Sequence, residues 1–174
     1  LLNIQIPKRV DYLRVIIMEL SRIADHIICN TIIAQDTGAT TTFLYLFQYR
    51  EHIYEIFEEI CGARLTTNIG RIGGLERDFN DVAFAKINKF LKEFPVALKE
   101  FESLLNRNRI FIDRTAGVAK VTPEMALSYG WTGPLLRATG VDYDVRVSEP
   151  YSSYQDFDFE VPVGTSGDIY DRLL

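Results

Sequence analysis

Apolar residues recur at helical spacing through most of the chain and turn to strict alternation only near its end. Placed at 100° per residue, Leu13, Ile16, Ile17, Leu20, Ile23, Ala24, Ile27 and Ala34 gather on one side of a cylinder. Asp11, Arg14, Glu19, Arg22, Asp25, His26 and Asn30 gather on the other. The pattern predicts a long amphipathic helix over about 7–36, opened by Pro7, whose missing N–H is not needed in a first turn. Its far end, Gln35-Asp36-Thr37-Gly38-Ala39-Thr40-Thr41-Thr42, is small and polar. That run should stop the helix and supply an N-cap for the next one, which makes Asp36 a helix-terminal carboxylate.

A second helix is predicted over about 42–61, with Leu46, Ile53, Ile56, Phe57 and Ile60 on its apolar face and Gly62 as a left-handed cap. A glycine-punctuated loop follows over 65–74. A third helix is expected over about 81–107, with Phe84, Ile87, Leu91, Phe94, Leu98, Phe101 and Leu105 at helical spacing and Pro95 kinking it. Thr122-Pro123-Glu124 opens a fourth over 122–129, ended by Gly130. The later alternation, as in Asp156-Phe157-Asp158-Phe159-Glu160-Val161, reads as short strands or extended loops within 141–164. The fold class expected is mainly α with small β elements, in one domain spanning residues 1–174.

An apolar share of 47% with 25% charged residues is the balance of a globular protein with a sizeable core. A net charge of -5 supplies no basic footprint for nucleic acid. The densest apolar runs fall far short of the roughly 20 residues a membrane-spanning helix needs. Cys29 and Cys61 stand far apart without a Cys-x-x-Cys pair, and there are two histidines, so neither a zinc site nor a four-thiolate cluster is expected from this chain. The start at Leu1 and the run ending at Leu174 read as cuts through a larger protein.

Taken alone, the motifs have plain explanations. The stripe Glu19, Arg22, Asp25, His26 reads as a solvated face with helix-spaced ion pairs. Asn68-Ile69-Gly70-Arg71-Ile72-Gly73-Gly74 matches neither a dinucleotide fingerprint nor a Walker loop, and reads as a structural loop. His26 and His52 lack metal-site spacing. Asp36 could be a capping or merely exposed carboxylate.

In order and spacing, however, several runs resemble one family. These are Pro7-Lys8-Arg9 through Arg14-Val15 to Glu19-Leu20-Ser21-Arg22-Ile23 and His26, Asp36-Thr37-Gly38-Ala39, Phe47 with Arg50-Glu51, and Phe57-Glu58-Glu59 leading to Gly62-Ala63-Arg64. Arg71-Ile72-Gly73-Gly74, Asn108-Arg109-Ile110, Gly133-Pro134-Leu135-Leu136-Arg137, Val161-Pro162-Val163-Gly164, Gly167-Asp168 and Tyr170-Asp171-Arg172 continue the series. Together they resemble the D-type, quinone-site subunit of respiratory complex I, the NADH:quinone oxidoreductase, over essentially the whole chain.

The resemblance implies an incomplete form of the fold of nickel–iron hydrogenase large subunits, without their metal-binding cysteine pairs. It implies a peripheral protein at the cytoplasmic face of a bacterial inner membrane, or the matrix side in a mitochondrion. Such a protein packs against the small subunit that carries the terminal 4Fe-4S cluster and against the membrane subunit that completes the quinone tunnel. NADH and FMN belong elsewhere in the complex. A histidine and a tyrosine that would precede Leu1 are the family's proposed proton donors to the quinone, and the histidine's partner aspartate matches Asp36. By this likeness Asp36 is the catalytic carboxylate of the chain, acting by tuning and reprotonating the imidazole. Ile28 and Ile32, two turns and one turn before it, and Phe43 and Leu44 just after it, are expected as apolar walls of the quinone site.

Thr66 and Arg71 are expected near the neighbouring cluster. Many family members carry a histidine where this chain has Thr66. A neutral hydroxyl in place of an imidazolium should leave the cluster's potential lower and less dependent on pH, which suits a low-potential quinone such as menaquinone. Two other readings stand beside this one: the large subunit of an energy-converting hydrogenase, and a non-catalytic helical scaffold. The fragment alone is expected to be inactive.

Overall fold

A computed structural model describes residues 4–173. The chain divides into two compact units, Leu1–Leu104 and Leu105–Leu174. The first unit is built on three long helices, α1 (Lys8–Asp36), α2 (Thr40–Cys61) and α3 (Asp81–Leu105). Between α2 and α3 lies a small antiparallel hairpin, β1 (Gly70–Arg71) and β2 (Gly74–Leu75), in which Arg71 faces Gly74 and Gly70 faces Leu75. The 65–74 segment predicted as a loop therefore runs into a hairpin, whose strands are the only ones among the described residues.

α1 and α2 form an antiparallel helical pair. Leu13, Leu20, Ala24 and Ile27 of α1 are buried, as are Leu46, Ile53, Ile56, Phe57 and Ile60 of α2, each series at helical spacing. Pro7 serves as the N-cap of α1, one position before the first helical residue where it was expected. Gly62 closes α2 with φ 75°, the left-handed turn that glycine adopts without a Cβ penalty, and its N–H bonds the carbonyl of Glu58.

α3 runs back along α2. The Asn80 amide at its entry donates to Glu59 (2.8 Å), Lys86 reaches the Glu55 carbonyl (3.2 Å), Phe94 lies 6.0 Å from the Tyr49 ring, and the Tyr45 hydroxyl bonds Glu100. The face that α3 buries differs from the one its sequence suggested. Ala83, Ile87, Phe90, Ala97 and Phe101 are buried, whereas Leu91 is 57% and Leu98 37% exposed. Both stripes are helical and share Ile87, Phe101 and Leu105, while Phe94 is half-buried. Phe90, 1% exposed, fills the buried stripe and stacks on Phe94 at 4.9 Å.

The second unit contains short helices, α4 (Arg109–Thr115), α5 (Pro123–Ser128), α6 (Gly133–Arg137), α7 (Val145–Ser148) and α8 (Ile169–Leu173), with a 3-10 turn at Tyr154–Asp156. Of the two readings of 141–164, short strands or extended loops, the structure shows loops, interrupted by α7 and the 3-10 turn. The reason is local. Asp144 accepts the Arg146 N–H (2.9 Å) and so caps α7. Thr122 likewise caps α5 by accepting from Met125 (3.2 Å), as the Thr-Pro-Glu run foretold.

Around Asp144 a charged core forms. Arg137 Nη1 lies 3.2 Å and Arg146 Nη2 2.7 Å from its Oδ2, with side-chain exposures of 9%, 11% and 5% for the two arginines and the aspartate. The Arg146 guanidinium also stacks over Phe159 at 4.5 Å. Paired this way, chiefly through its hydrogen bonds with Arg146 and against the opposing effect of burial, Asp144 titrates at about 2.

Candidate functional site

The residues expected to carry function fall into two groups on the first unit. The first lies at the turn joining α1 to α2. The chain reverses there because the N–H groups of Thr37, Gly38 and Ala39 return to the carbonyls of Ile33, Gln35 and Ala34, while Gly38 takes φ 101°. The Thr37 hydroxyl also folds back on α1, 2.9 Å from the Ile33 and Ala34 carbonyls.

Asp36 takes no part in this closure. It is the last residue of α1, exposed, and its carboxylate accepts no hydrogen bond and forms no ion pair among the described residues. The capping role open to it is therefore not the one it plays: Ala39 is the N-cap of α2, with no side-chain bond. A negative charge at a helix C-terminus meets the negative end of the macrodipole, at a cost of about 0.3–1 kcal/mol, and the last turn holds no basic residue to offset it. Nothing in the local fold accounts for a carboxylate here.

Apolar side chains lie on either side of the polar turn that carries Asp36. Ile28 is half-buried and Ile32 is 41% exposed, both at four-residue steps along α1. In the first turn of α2, Phe43 rests on Phe47 with ring centres 5.1 Å apart, and Leu44 is 65% exposed. A carboxylate without a partner among the described residues, in a turn flanked by the exposed Ile32 and Leu44, is suited to meeting an apolar molecule whose polar end needs a proton acceptor or a charged neighbour.

The second group lies beyond the other end of α2. Thr66 is exposed. Arg71 is exposed too, yet its guanidinium is tied, with Nη1 2.6 Å from both the carbonyl and the side-chain oxygen of Asn68 and Nη2 2.8 Å from Glu76. Since α2 has 22 residues, the two groups stand about 30 Å apart along it. The structure thus gathers Ile28, Ile32, Asp36, Phe43 and Leu44 at one end of a helical pair, with Thr66 and Arg71 at the opposite end.

Two features escaped the sequence. Arg50 lies over the rings of Tyr54 (4.8 Å) and Phe47 (5.4 Å) and donates through Nε to the Ala24 carbonyl (3.2 Å), pinning α2 to α1. Arg14, on the polar stripe of α1, donates to the hairpin carbonyls of Arg71 (2.9 Å) and Gly74 (2.8 Å). That stripe is mostly half-buried, so the solvated face expected of it holds only in part. No spacing rule joins an arginine to a hairpin that lies far along the chain. Of the two histidines, His52 packs edge-on to Tyr49 and His26 is half-buried with a partner of its own. Cys29 is exposed and Cys61 half-buried, and among the described residues no three His, Cys, Asp or Glu side chains gather as metal ligands.

The described residues form a mainly helical chain with an exposed carboxylate at the turn between its first two helices. Comparison with known proteins places it: residues 36–174 match the model of the family described as respiratory-chain NADH dehydrogenase, 49 Kd subunit, and the chain belongs to that family. It is 68% identical over its whole length to the second D-type NADH-quinone oxidoreductase subunit of Cytophaga hutchinsonii, covering 44% of that protein. It is 70% identical over 173 residues, 99% of the chain, to the D-type subunit of Flavobacterium johnsoniae, covering 42% of it. To the D-type subunit of Leptospira biflexa it is 49% identical over 174 residues, covering 43%. The chain therefore spans less than half the length of these relatives.

Proposed function

We propose that this chain is the central part of the quinone-site subunit of a proton-translocating NADH:quinone oxidoreductase, with a hydrogenase-like fold completed by flanks that its longer relatives possess. Family membership supports the complex, and the carboxylate of Asp36, unpaired among the described residues in a turn flanked by the exposed Ile32 and Leu44, is the observation that carries the site. In this reading Ile28, Ile32, Phe43 and Leu44 flank the quinone ring, and Asp36 orients an imidazole N–H from outside these residues, holding the positive charge it takes on. A quinone that receives two electrons must receive two protons, and an imidazole steadied by a carboxylate returns to its protonated form between turnovers.

In this reading the 4Fe-4S cluster that delivers electrons belongs to a neighbouring small subunit, with NADH and FMN farther off in the complex and a membrane subunit completing the tunnel. Among the described residues no helix is long and apolar enough to cross a membrane, which is compatible with peripheral attachment at the cytoplasmic or matrix face. Thr66 and Arg71 then lie toward the cluster side, and the neutral Thr66 favours a low-potential acceptor such as menaquinone. The relatives' shared name favours this reading over a hydrogenase or a passive scaffold.

The test is Asp36→Asn in the full complex. Quinone reduction should fall by at least about tenfold, below what positioned acid–base groups usually contribute, while assembly and reduction of the clusters by NADH persist. Unchanged quinone turnover in an assembled variant overturns the assignment.

A further inference from the structure

We infer that Arg14 is a positioning residue: its guanidinium sets where the Gly70–Leu75 hairpin, and with it Arg71, lies against α1. Nη2 of Arg14 donates to the carbonyls of both Arg71 and Gly74, the residues that flank the two-residue turn Ile72-Gly73. A hairpin with two residues per strand has too few ladder bonds to hold itself together in water. Outside the strands only the bond from Glu76 N–H to the Ile69 carbonyl (2.9 Å) extends the pairing among the described residues. One planar cation binding two carbonyls gives the turn the anchor that its own backbone lacks, through charge-assisted bonds stronger than neutral ones.

Its neighbours complete the frame. Arg9, less than two turns earlier on α1, pairs with Asp78 just past the hairpin (3.0 Å) and holds that carboxyl below its usual range. Both partners are well exposed, so this contact is screened and weaker than the one Arg14 makes. Within the hairpin, Arg71 is locked by Asn68 and Glu76, so wherever Arg14 sets the backbone the Arg71 guanidinium follows. Ile72 at the tip is left 80% exposed, free to meet a neighbour. α1 thus presents Asp36 at its C-terminus and, through Arg14, fixes Arg71 near its N-terminus. This assignment rests on the reading of Thr66 and Arg71 as facing the electron donor.

The experiment compares Arg14→Ala and Arg14→Lys with the parent in the assembled complex. Two readouts are taken: hydrogen–deuterium exchange of the peptide covering 66–77, and the electron paramagnetic resonance spectrum of the terminal cluster after reduction by NADH. Arg14→Ala should speed exchange in that peptide by about tenfold or more, the scale of one lost charge-assisted hydrogen bond, leave α2 unchanged and alter the spectrum. Arg14→Lys, which keeps the charge without the fork, should recover part of both. Where Arg14→Ala does not assemble, the lysine variant is read alone, and a peptide and spectrum identical to the parent overturn the proposal. Faster exchange with an unaltered spectrum overturns the positioning role while leaving the Asp36 reading to its own test.

Discussion

Removing the carboxylate of Asp144 should destabilise the second unit more than any surface charge change in the chain. Asp144→Ala deletes the Arg137 contact at 3.2 Å, the Arg146 contacts at 2.9 and 2.7 Å, and the cap on α7. It leaves two guanidiniums with side-chain exposures of 9% and 11% without their shared counter-charge. Breaking a buried pair in this way costs about 3–5 kcal/mol, because each guanidinium loses a close counter-charge while keeping its desolvation penalty. The ionised form alone accounts for part of that. A carboxyl whose ordinary value of 3.8 falls to about 2 in the folded state contributes about 2 kcal/mol of stability. Because the folded value is depressed, this contribution is fully present above pH of about 4 and is lost as pH falls through about 2. Urea unfolding followed by the fluorescence of Trp131, the single tryptophan and a residue of the same unit, measures both effects. Asp144→Ala should lower stability at neutral pH by about 3–5 kcal/mol and flatten the acid limb that the parent shows between pH of about 4 and 2. A loss under about 1 kcal/mol, or an acid limb of unchanged height in the variant, refutes the reasoning.

Two packing predictions follow from the same approach. Phe90→Ala should cost about 3–5 kcal/mol, since Phe90 is 1% exposed, whereas Leu91→Ala, at a position 57% exposed, should stay within about 0.5 kcal/mol; far-ultraviolet circular dichroism during urea unfolding distinguishes them, and equal losses would show that α3 buries the other stripe. Gly167 has φ 64°, and a Cβ there would lie 2.2 Å from the Val121 carbonyl oxygen, the residue whose N–H bonds the Gly167 carbonyl (3.0 Å). Gly167→Ala should therefore lower the midpoint of thermal unfolding by several degrees, because backbone must move to admit the methyl; an unshifted midpoint would count against this packing.

Near Gly167, a carboxylate network holds the 164–173 segment with little apolar burial. Burial opposes ionisation of Asp168, but the N–H groups of Asp171 (3.0 Å) and Gly117 (2.7 Å) outweigh it and hold its carboxyl below the ordinary range. Asp171 in turn accepts from the N–H groups of Thr165 and Ser166. The motifs Gly167-Asp168 and Tyr170-Asp171-Arg172, visible as family marks, are thus explained by backbone bonding and need no catalytic role.

Much of the first unit was legible because long amphipathic helices write a 3.6-residue period into the chain, and the limits of α1 and α2 follow from Pro7, Gly62 and the polar run after Asp36. The identity of Asp36 as a helix-terminal carboxylate was equally local, as was the cap at Thr122. Tertiary structure alone decided the rest. Which of two overlapping stripes α3 buries depends on what α2 presents to it, as at the Tyr49–Phe94 ring contact. That 141–164 forms loops and not strands depends on Asp144 finding two arginines, since alternation specifies a strand only where a partner strand accepts it. That Arg14 holds a distant hairpin, and that Asp36 stands unpaired while Thr66 and Arg71 lie about 30 Å away, are matters of packing. Periodicity records how each segment meets solvent, but a site depends on which segments meet one another.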